Sequence, residues 1–204
     1  MNATTEIKLE SESVPYINIP NLMATDEGLE HFLNVIDETF KHVEPVTASV
    51  MKPEMVKSVD DVRRSEVRFG NNKWVRHEVF DLVNQVNSSL WALDLYNAVA
   101  EMQHTTYYDS VKGHYDWHED DHPLSGRWGF KKSRKISCTL QLSEYGVDYE
   151  GGELEIHGVN TDPKVLGKKG SLTIFPSIVR HRVAPVTKGT RQSLVFWYYG
   201  PRWR

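Results

Sequence analysis

Residues 136–142 alternate without a break. Ile136, Cys138, Leu140 and Leu142 are apolar, and Ser137, Thr139 and Gln141 stand between them. Successive side chains of an extended chain point to opposite faces, so this segment reads as a strand with one apolar and one polar face. From about residue 91 to the end, short runs of this kind are separated by turn residues. Ala98 to Tyr108 reads as one strand. Gly151-Gly152 turns into Glu153–Ile156, and Gly167–Gly170 turns into Ser171–Phe175. His181–Val183 is brief, Val186–Thr190 reads as a turn, and Gln192–Tyr199 as the last strand.

The first half follows a different period. Leu29, Phe32, Leu33, Ile36, Phe40 and Val43 recur at helical spacing behind Thr25 or Asp26, either of which can cap a helix. After Asn71-Asn72, the residues Val75, Val79, Leu82, Val83, Val86 and Leu90 form a second such face. Residues 1–24 read as an extended lead-in in which Ile17 and Ile19 alternate, and 44–72 as irregular, broken by Pro45, Pro53 and Gly70. Two helices followed by about eight strands predict helices packed on a closed or sandwiched antiparallel sheet. The expected organisation is one domain over 1–204, with 1–97 mostly helical support and 98–204 the β core.

Bulk properties mainly exclude. Lys plus Arg is 24 against 28 Asp plus Glu, a net charge of −4, so no broad basic surface suits nucleic acid. The lone cysteine, Cys138, rules out an internal disulfide framework and reads as a buried inert thiol. Met1–Glu6 shows no basic region leading into an apolar run, and no membrane-length apolar stretch is visible, so a soluble cytoplasmic protein without a membrane partner is the expectation.

The chemistry sits in four residues. His118 and Asp120 are two apart, which in an extended segment puts both on one face. His181 follows a strand–turn pair far downstream and is the best third ligand. Two imidazoles and one carboxylate leave three positions open on an octahedral ion, the facial arrangement of non-haem Fe(II) oxygenases. A rival local set, His118-x-Asp120-x-His122, also puts three donors on one face, although Asp121 and Pro123 mark His122 as a loop residue. With 186–190 as a turn, His181 and Arg191 fall on neighbouring strands of one hairpin. Arg191 and Ser193 then share a face and offer a bidentate cation and a hydroxyl to one anion.

These segments resemble a family. Tyr108 through Gly113–Asp120, Tyr149–Leu154 with its Gly-Gly-Glu-Leu, and Gly170–Ser177 followed by His181–Arg191 together resemble the prolyl-hydroxylase-like 2-oxoglutarate/Fe(II) dioxygenases, in the right order over roughly residues 103–199. The resemblance implies a mainly β fold with helices, a double-stranded β-helix (jelly-roll) core with supporting N-terminal helices. It implies Fe(II) on His118, Asp120 and His181, 2-oxoglutarate and O₂ as co-substrates, and ascorbate as an accessory reductant. Arg191 would anchor the distal carboxylate of 2-oxoglutarate, with Ser193 and Tyr108 beside it. Tyr107 or Tyr115 could take the place of Tyr108, whose spacing to His118 is one residue longer than the commonest pattern. Asp120 favours hydroxylation over halogenation, because related halogenases lack that carboxylate.

The implied reaction hydroxylates a prolyl residue of a peptide or protein and releases succinate and CO₂. A small molecule or free amino acid is the alternative substrate. A cupin-like metal-binding module without oxygenase activity is a more distant reading, which would leave Arg191 without a purpose. Trp117, Arg127, Trp128, Phe130 and Tyr145 are the aromatic and basic candidates for the approach, with the polar loop 121–135 beside them.

Overall fold

A computed structural model describes residues 14–48, 59–97, 100–121 and 132–203. In chain order the elements are β1 (Ile17–Ile19), α1 (Asp26–Phe40), β2 (Val46–Thr47), α2 (Val59–Val62), β3 (Arg63–Arg64), β4 (Glu66–Gly70), α3 (Lys73–Leu90), β5 (Ala100–Tyr108), β6 (His114–His118), β7 (Lys132–Gln141), β8 (Tyr149–Gly151), β9 (Leu154–Ile156), α4 (Pro163–Leu166), β10 (Leu172–Pro176), β11 (His181–Val183) and β12 (Val186–Pro201).

Both long helices begin where the sequence places them. The Thr25 side chain accepts the Gly28 amide and Asn72 accepts the Val75 amide, so each cap satisfies a donor that the first turn leaves free. Phe32, Ile36 and Phe40 of α1 and Val75, Val79, Val83 and Val86 of α3 are buried against Met102, Ile136, Cys138, Leu140, Leu172, Ile174, Leu194 and Phe196. Full burial of each such side chain contributes on the order of 1.5–3 kcal/mol.

The strands form two antiparallel sheets that are not closed. The larger runs β1-β10-β7-β12-β5-β4-β2, with β8 paired to β12, and the smaller runs β3-β6-β11-β9. The helices cover one face of the larger sheet. Its other face, carrying Gln103, Thr139, Arg191 and Ser193, meets the smaller sheet around a cavity. The molecule therefore has an apolar core between helices and sheet and a mixed interior between sheets, where polar groups sit among apolar and aromatic side chains. Ser137, Thr139, Gln141, Arg191 and Ser193 are all buried there. Buried polar groups cost free energy unless they are paired, so this concentration of them, set among Tyr107, Val195 and Trp197, marks the part of the fold kept for a ligand.

Two expectations are corrected. Residues 44–72 are not irregular throughout: Glu66–Gly70 pairs with β5 from Glu66↔Thr106 to Gly70↔Met102, and Arg63–Arg64 pairs with β6. Residues 186–190 are not a turn but the start of β12, paired with β8 over Val186–Gly189 and with β5 from Thr190 on. Gly189 permits the close approach there, at φ +73°, where a Cβ would collide with the Asp148 carbonyl. His181 and Arg191 consequently lie in different sheets and face one cavity, instead of sharing a hairpin. The expected start of the β5 strand at Ala98 falls outside the described residues, as do His122, Arg127, Trp128 and Phe130.

His104 points from β5 toward the helices and packs on Phe40, ring centroids 5.4 Å apart. Burial, helped by the nearby Arg68 charge, pushes its pKa down to about 4. The folded protein thus keeps this ring neutral while the unfolded chain takes up a proton below about 6.5. Its contribution to stability is intact above pH 6.5 and is lost as the pH falls toward and through 4, by up to about 3 kcal/mol. Urea unfolding of wild type and His104→Gln at pH 7 and pH 4 should show a smaller acid loss in the variant. Parallel losses would exclude His104 as the acid-sensitive group.

Candidate metal centre and anion pocket

β6 and β11 pair antiparallel with His118 opposite His181. The register alone brings the two imidazoles together, 4.2 Å between ring centroids. Asp120 lies two residues beyond His118, past the end of β6, so strand alternation does not place it. Instead the Asp120 and Asp121 amides both donate to the Ser177 carbonyl at 3.0 Å, folding the carboxylate back between the histidines. One carboxylate oxygen, Oδ1, is 3.6 Å from His118 Nε2, and the other, Oδ2, is 3.7 Å from His181 Nε2. One donor atom from each of these three side chains lies within 4.8 Å of the other two.

The tautomers follow from the backbone. His118 Nδ1 is 2.7 Å from the Asp116 carbonyl and His181 Nδ1 is 2.9 Å from the Val179 carbonyl. A carbonyl can only accept, so each Nδ1 carries a proton, and each Nε2 is the nitrogen turned to the carboxylate side and available to a metal. Burial and the neighbouring His118 push the His181 pKa down to about 4, which keeps that ring a neutral ligand. Burial alone would raise the Asp120 pKa, but at the low pH where it titrates the protonated rings of His181 and His118, with Arg134 beyond, hold it well below the usual carboxylate range. Two neutral imidazoles and one carboxylate suit Fe(II) or Mn(II), and no thiolate is near enough to prefer a softer ion.

The same cavity holds Arg191, only 1% exposed. Its Nη1 donates to Ser193 Oγ at 3.3 Å, its guanidinium lies 5.4 Å from the Tyr107 ring centroid, and the Tyr149 hydroxyl rests against it. Its Nε is buried without a hydrogen-bond partner, and no carboxylate of the described residues forms an ion pair with it. Gly152, at φ +64°, gives the side chain room: a Cβ would stand 3.1 Å from Arg191 Cδ. An isolated buried cation is costly, so this arrangement suits an anion brought in from outside.

Tyr108 is corrected. Its hydroxyl donates to Glu66 Oε2 at 2.9 Å on the other face of β5. Tyr107 is the residue paired in register with Arg191 and lining the cavity. Tyr115 instead stacks on His118, ring centroids 3.4 Å apart and nearly parallel, and burial pushes its hydroxyl up to about 12. Trp117 packs edge-on to His157 under the Arg182 guanidinium, and Tyr145 packs on Tyr149 with its hydroxyl on Glu153. Cys138 is a free buried thiol that burial keeps protonated.

Arg63 gave no signal in the sequence. It is buried, donates to Ser65 Oγ and Gln103 Oε1, and lies 4.5 Å over the Tyr115 ring, backing the tyrosine that backs His118.

Comparison with known proteins agrees with this geometry. Residues 102–199 match the family described as the 2OG-Fe(II) oxygenase superfamily. A PKHD-type hydroxylase of Xylella fastidiosa (strain M23) is 48% identical over 62 residues, 30% of this chain and 26% of the relative, so the matched stretch spans about a quarter of that protein. Among solved structures, a Pseudomonas putida prolyl-4-hydroxylase superposes with a TM-score of 0.63 at 19% identity, covering 90% of this chain and 92% of that one. A Trichoplax adhaerens prolyl hydroxylase in complex with a hypoxia inducible factor oxygen degradation domain peptide fragment gives 0.64 at 18%, covering 91% and 84%. These likenesses give the fold, an open jelly-roll core with helices on one side. Residues 102–199, which carry the His-Asp-His set and Arg191, match the 2OG-Fe(II) oxygenase superfamily, on a fold like that of the prolyl hydroxylases.

Proposed function

We propose that the chain is a 2-oxoglutarate- and O₂-dependent hydroxylase acting on prolyl residues of a peptide or protein. The observation that carries the co-substrate is Arg191, a buried guanidinium without a carboxylate partner among the described residues, facing the same cavity as His118, Asp120 and His181. A dicarboxylate is the ligand this pairing fits, with one end at the metal ligands and the other at Arg191 and Ser193.

Each residue has a task. His118, Asp120 and His181 would hold Fe(II), with the Nδ1 protons pinned on backbone carbonyls so that both Nε2 atoms face inward. Arg191 and Ser193 bind and orient the distal carboxylate, and the Tyr107 ring walls that end. Tyr115, Phe175 and Val183 exclude water beside the histidines. Bound iron supplies the activation of O₂ coupled to conversion of 2-oxoglutarate to succinate and CO₂, with one oxygen atom going to the substrate. Asp120, as a third protein ligand, supports hydroxylation over halogenation. Ascorbate fits as the reductant that keeps the iron ferrous.

The peptidyl substrate is supported by the PKHD-type relatives and by the likeness to a hydroxylase solved with a peptide. Supplied with Fe(II), 2-oxoglutarate and ascorbate, the protein should add one oxygen atom to proline-containing peptides, read by mass spectrometry. Efficient hydroxylation of free proline or another small acid with no peptide modified would overturn the peptidyl reading and leave the oxygenase reading standing.

A further inference from the structure

We infer that Ser137 selects which oxygen of Asp120 ligates the metal, and so acts as a positioning residue that keeps a coordination site open for the co-substrate. The inference rests on the reading of His118, Asp120 and His181 as the metal ligands. The carboxylate sits almost symmetrically between the two imidazoles, 3.6 Å from one through Oδ1 and 3.7 Å from the other through Oδ2. By those distances either oxygen, or both, could serve.

Ser137 breaks the symmetry. Its hydroxyl lies 2.6 Å from Oδ2, and Ser177 Oγ lies 2.9 Å from Ser137 Oγ. A carboxylate only accepts, so the single Ser137 proton goes to Oδ2 and the Ser177 hydroxyl must donate to Ser137. The order Ser177 to Ser137 to Asp120 is therefore fixed, and each bond strengthens the next in a site shielded from water. Both serines are fully buried. The Ser177 carbonyl also takes the Asp120 and Asp121 amides, so one residue anchors both the carboxylate's backbone and its hydroxyl relay.

With Oδ2 engaged, Oδ1 is the oxygen left to ligate. One protein oxygen and two nitrogens leave three positions on an octahedral ion, two for a chelating oxo-acid and one for O₂. A carboxylate using both oxygens would take one of those three.

The test uses Mn(II)-loaded wild type, Ser137→Ala and Ser137→Thr. Mn(II) affinity is read by electron paramagnetic resonance, 2-oxoglutarate affinity by calorimetry, and Asp120 coordination by crystallography. Ser137→Ala should bind 2-oxoglutarate at least about tenfold more weakly while keeping Mn(II) within about threefold, whereas outer-shell losses usually lower metal affinity itself by about 10–100-fold. Ser137→Thr, which keeps the hydroxyl, should restore both. In the wild-type crystal only Oδ1 should touch Mn(II), and in Ser137→Ala both oxygens should.

Unchanged 2-oxoglutarate affinity in Ser137→Ala overturns the inference. So does a parallel fall in thermal stability and both affinities, or a wild type with Oδ2 on the metal. If Ser137→Ala does not fold, Ser177→Ala removes only the donor to Ser137 and should give a smaller loss of the same kind; no loss overturns the inference. A wild-type Mn(II) protein that ignores 2-oxoglutarate would instead sink the co-substrate reading, and the Asp120 coordination in its crystal would still decide the role of Ser137.

Discussion

His181→Ala is expected to abolish stoichiometric binding of a divalent metal, and His118→Ala and Asp120→Ala should do the same. The three side chains reach one point by independent routes: β6 brings His118, β11 brings His181, and the Ser177 carbonyl turns Asp120 inward. None can substitute for another, because the backbone carbonyls of Asp116 and Val179 fix both imidazole orientations. Changes in the outer shell of a metal site typically cost about 10–100-fold in affinity, and loss of a direct ligand should exceed that. Equilibrium dialysis with Mn(II) reads the outcome. His122→Ala should bind Mn(II) almost as wild type does. If His122→Ala loses the metal while His181→Ala keeps it, the local His118-x-Asp120-x-His122 set is the site.

Arg191→Lys should weaken 2-oxoglutarate binding by several hundred-fold or more while leaving Mn(II) affinity nearly unchanged. Arg191 is buried, borders no carboxylate of the described residues, and turns a planar fork toward the cavity beside Ser193. Breaking one side of a buried, hydrogen-bonded charge pair costs on the order of 3–5 kcal/mol, and each 1.4 kcal/mol is a factor of ten. Lysine keeps the charge but not the two parallel donors. Equal affinity in variant and wild type, measured by calorimetry on the Mn(II)-loaded proteins, would count against this role.

Elements with a clean period were legible in the sequence. α1 and α3 show apolar residues at helical spacing behind Thr25 and Asn72, and β7 shows strict alternation from Ile136 to Gln141. β3 and β4 were not, because Arg63-Arg64 carries no apolar residue and the alternation of Val67 and Phe69 is only two positions long; what keeps them extended is the neighbouring strand, β6 or β5. The start of β12 was read as a turn from Thr187-Lys188-Gly189-Thr190, since a ladder to β8 leaves no mark on residue type.

The site followed the same rule. His118, Asp120, His181 and Arg191 stood out as chemistry, and the fold brings them to one cavity. The choice between Tyr107 and Tyr108 turned on strand register, which residue spacing does not encode. Arg63 and the Ser177–Ser137 relay were invisible because common polar residues acquire their roles only from what they touch.

The central claim is that the three metal ligands and Arg191 form one composite site for 2-oxoglutarate. Anaerobic calorimetric titration of 2-oxoglutarate into the metal-free and the Mn(II)-loaded protein tests it most directly. The expected result is one molecule bound per chain with Mn(II) present and far weaker binding without it. No binding to the loaded protein, or equal binding with and without metal, would contradict the account.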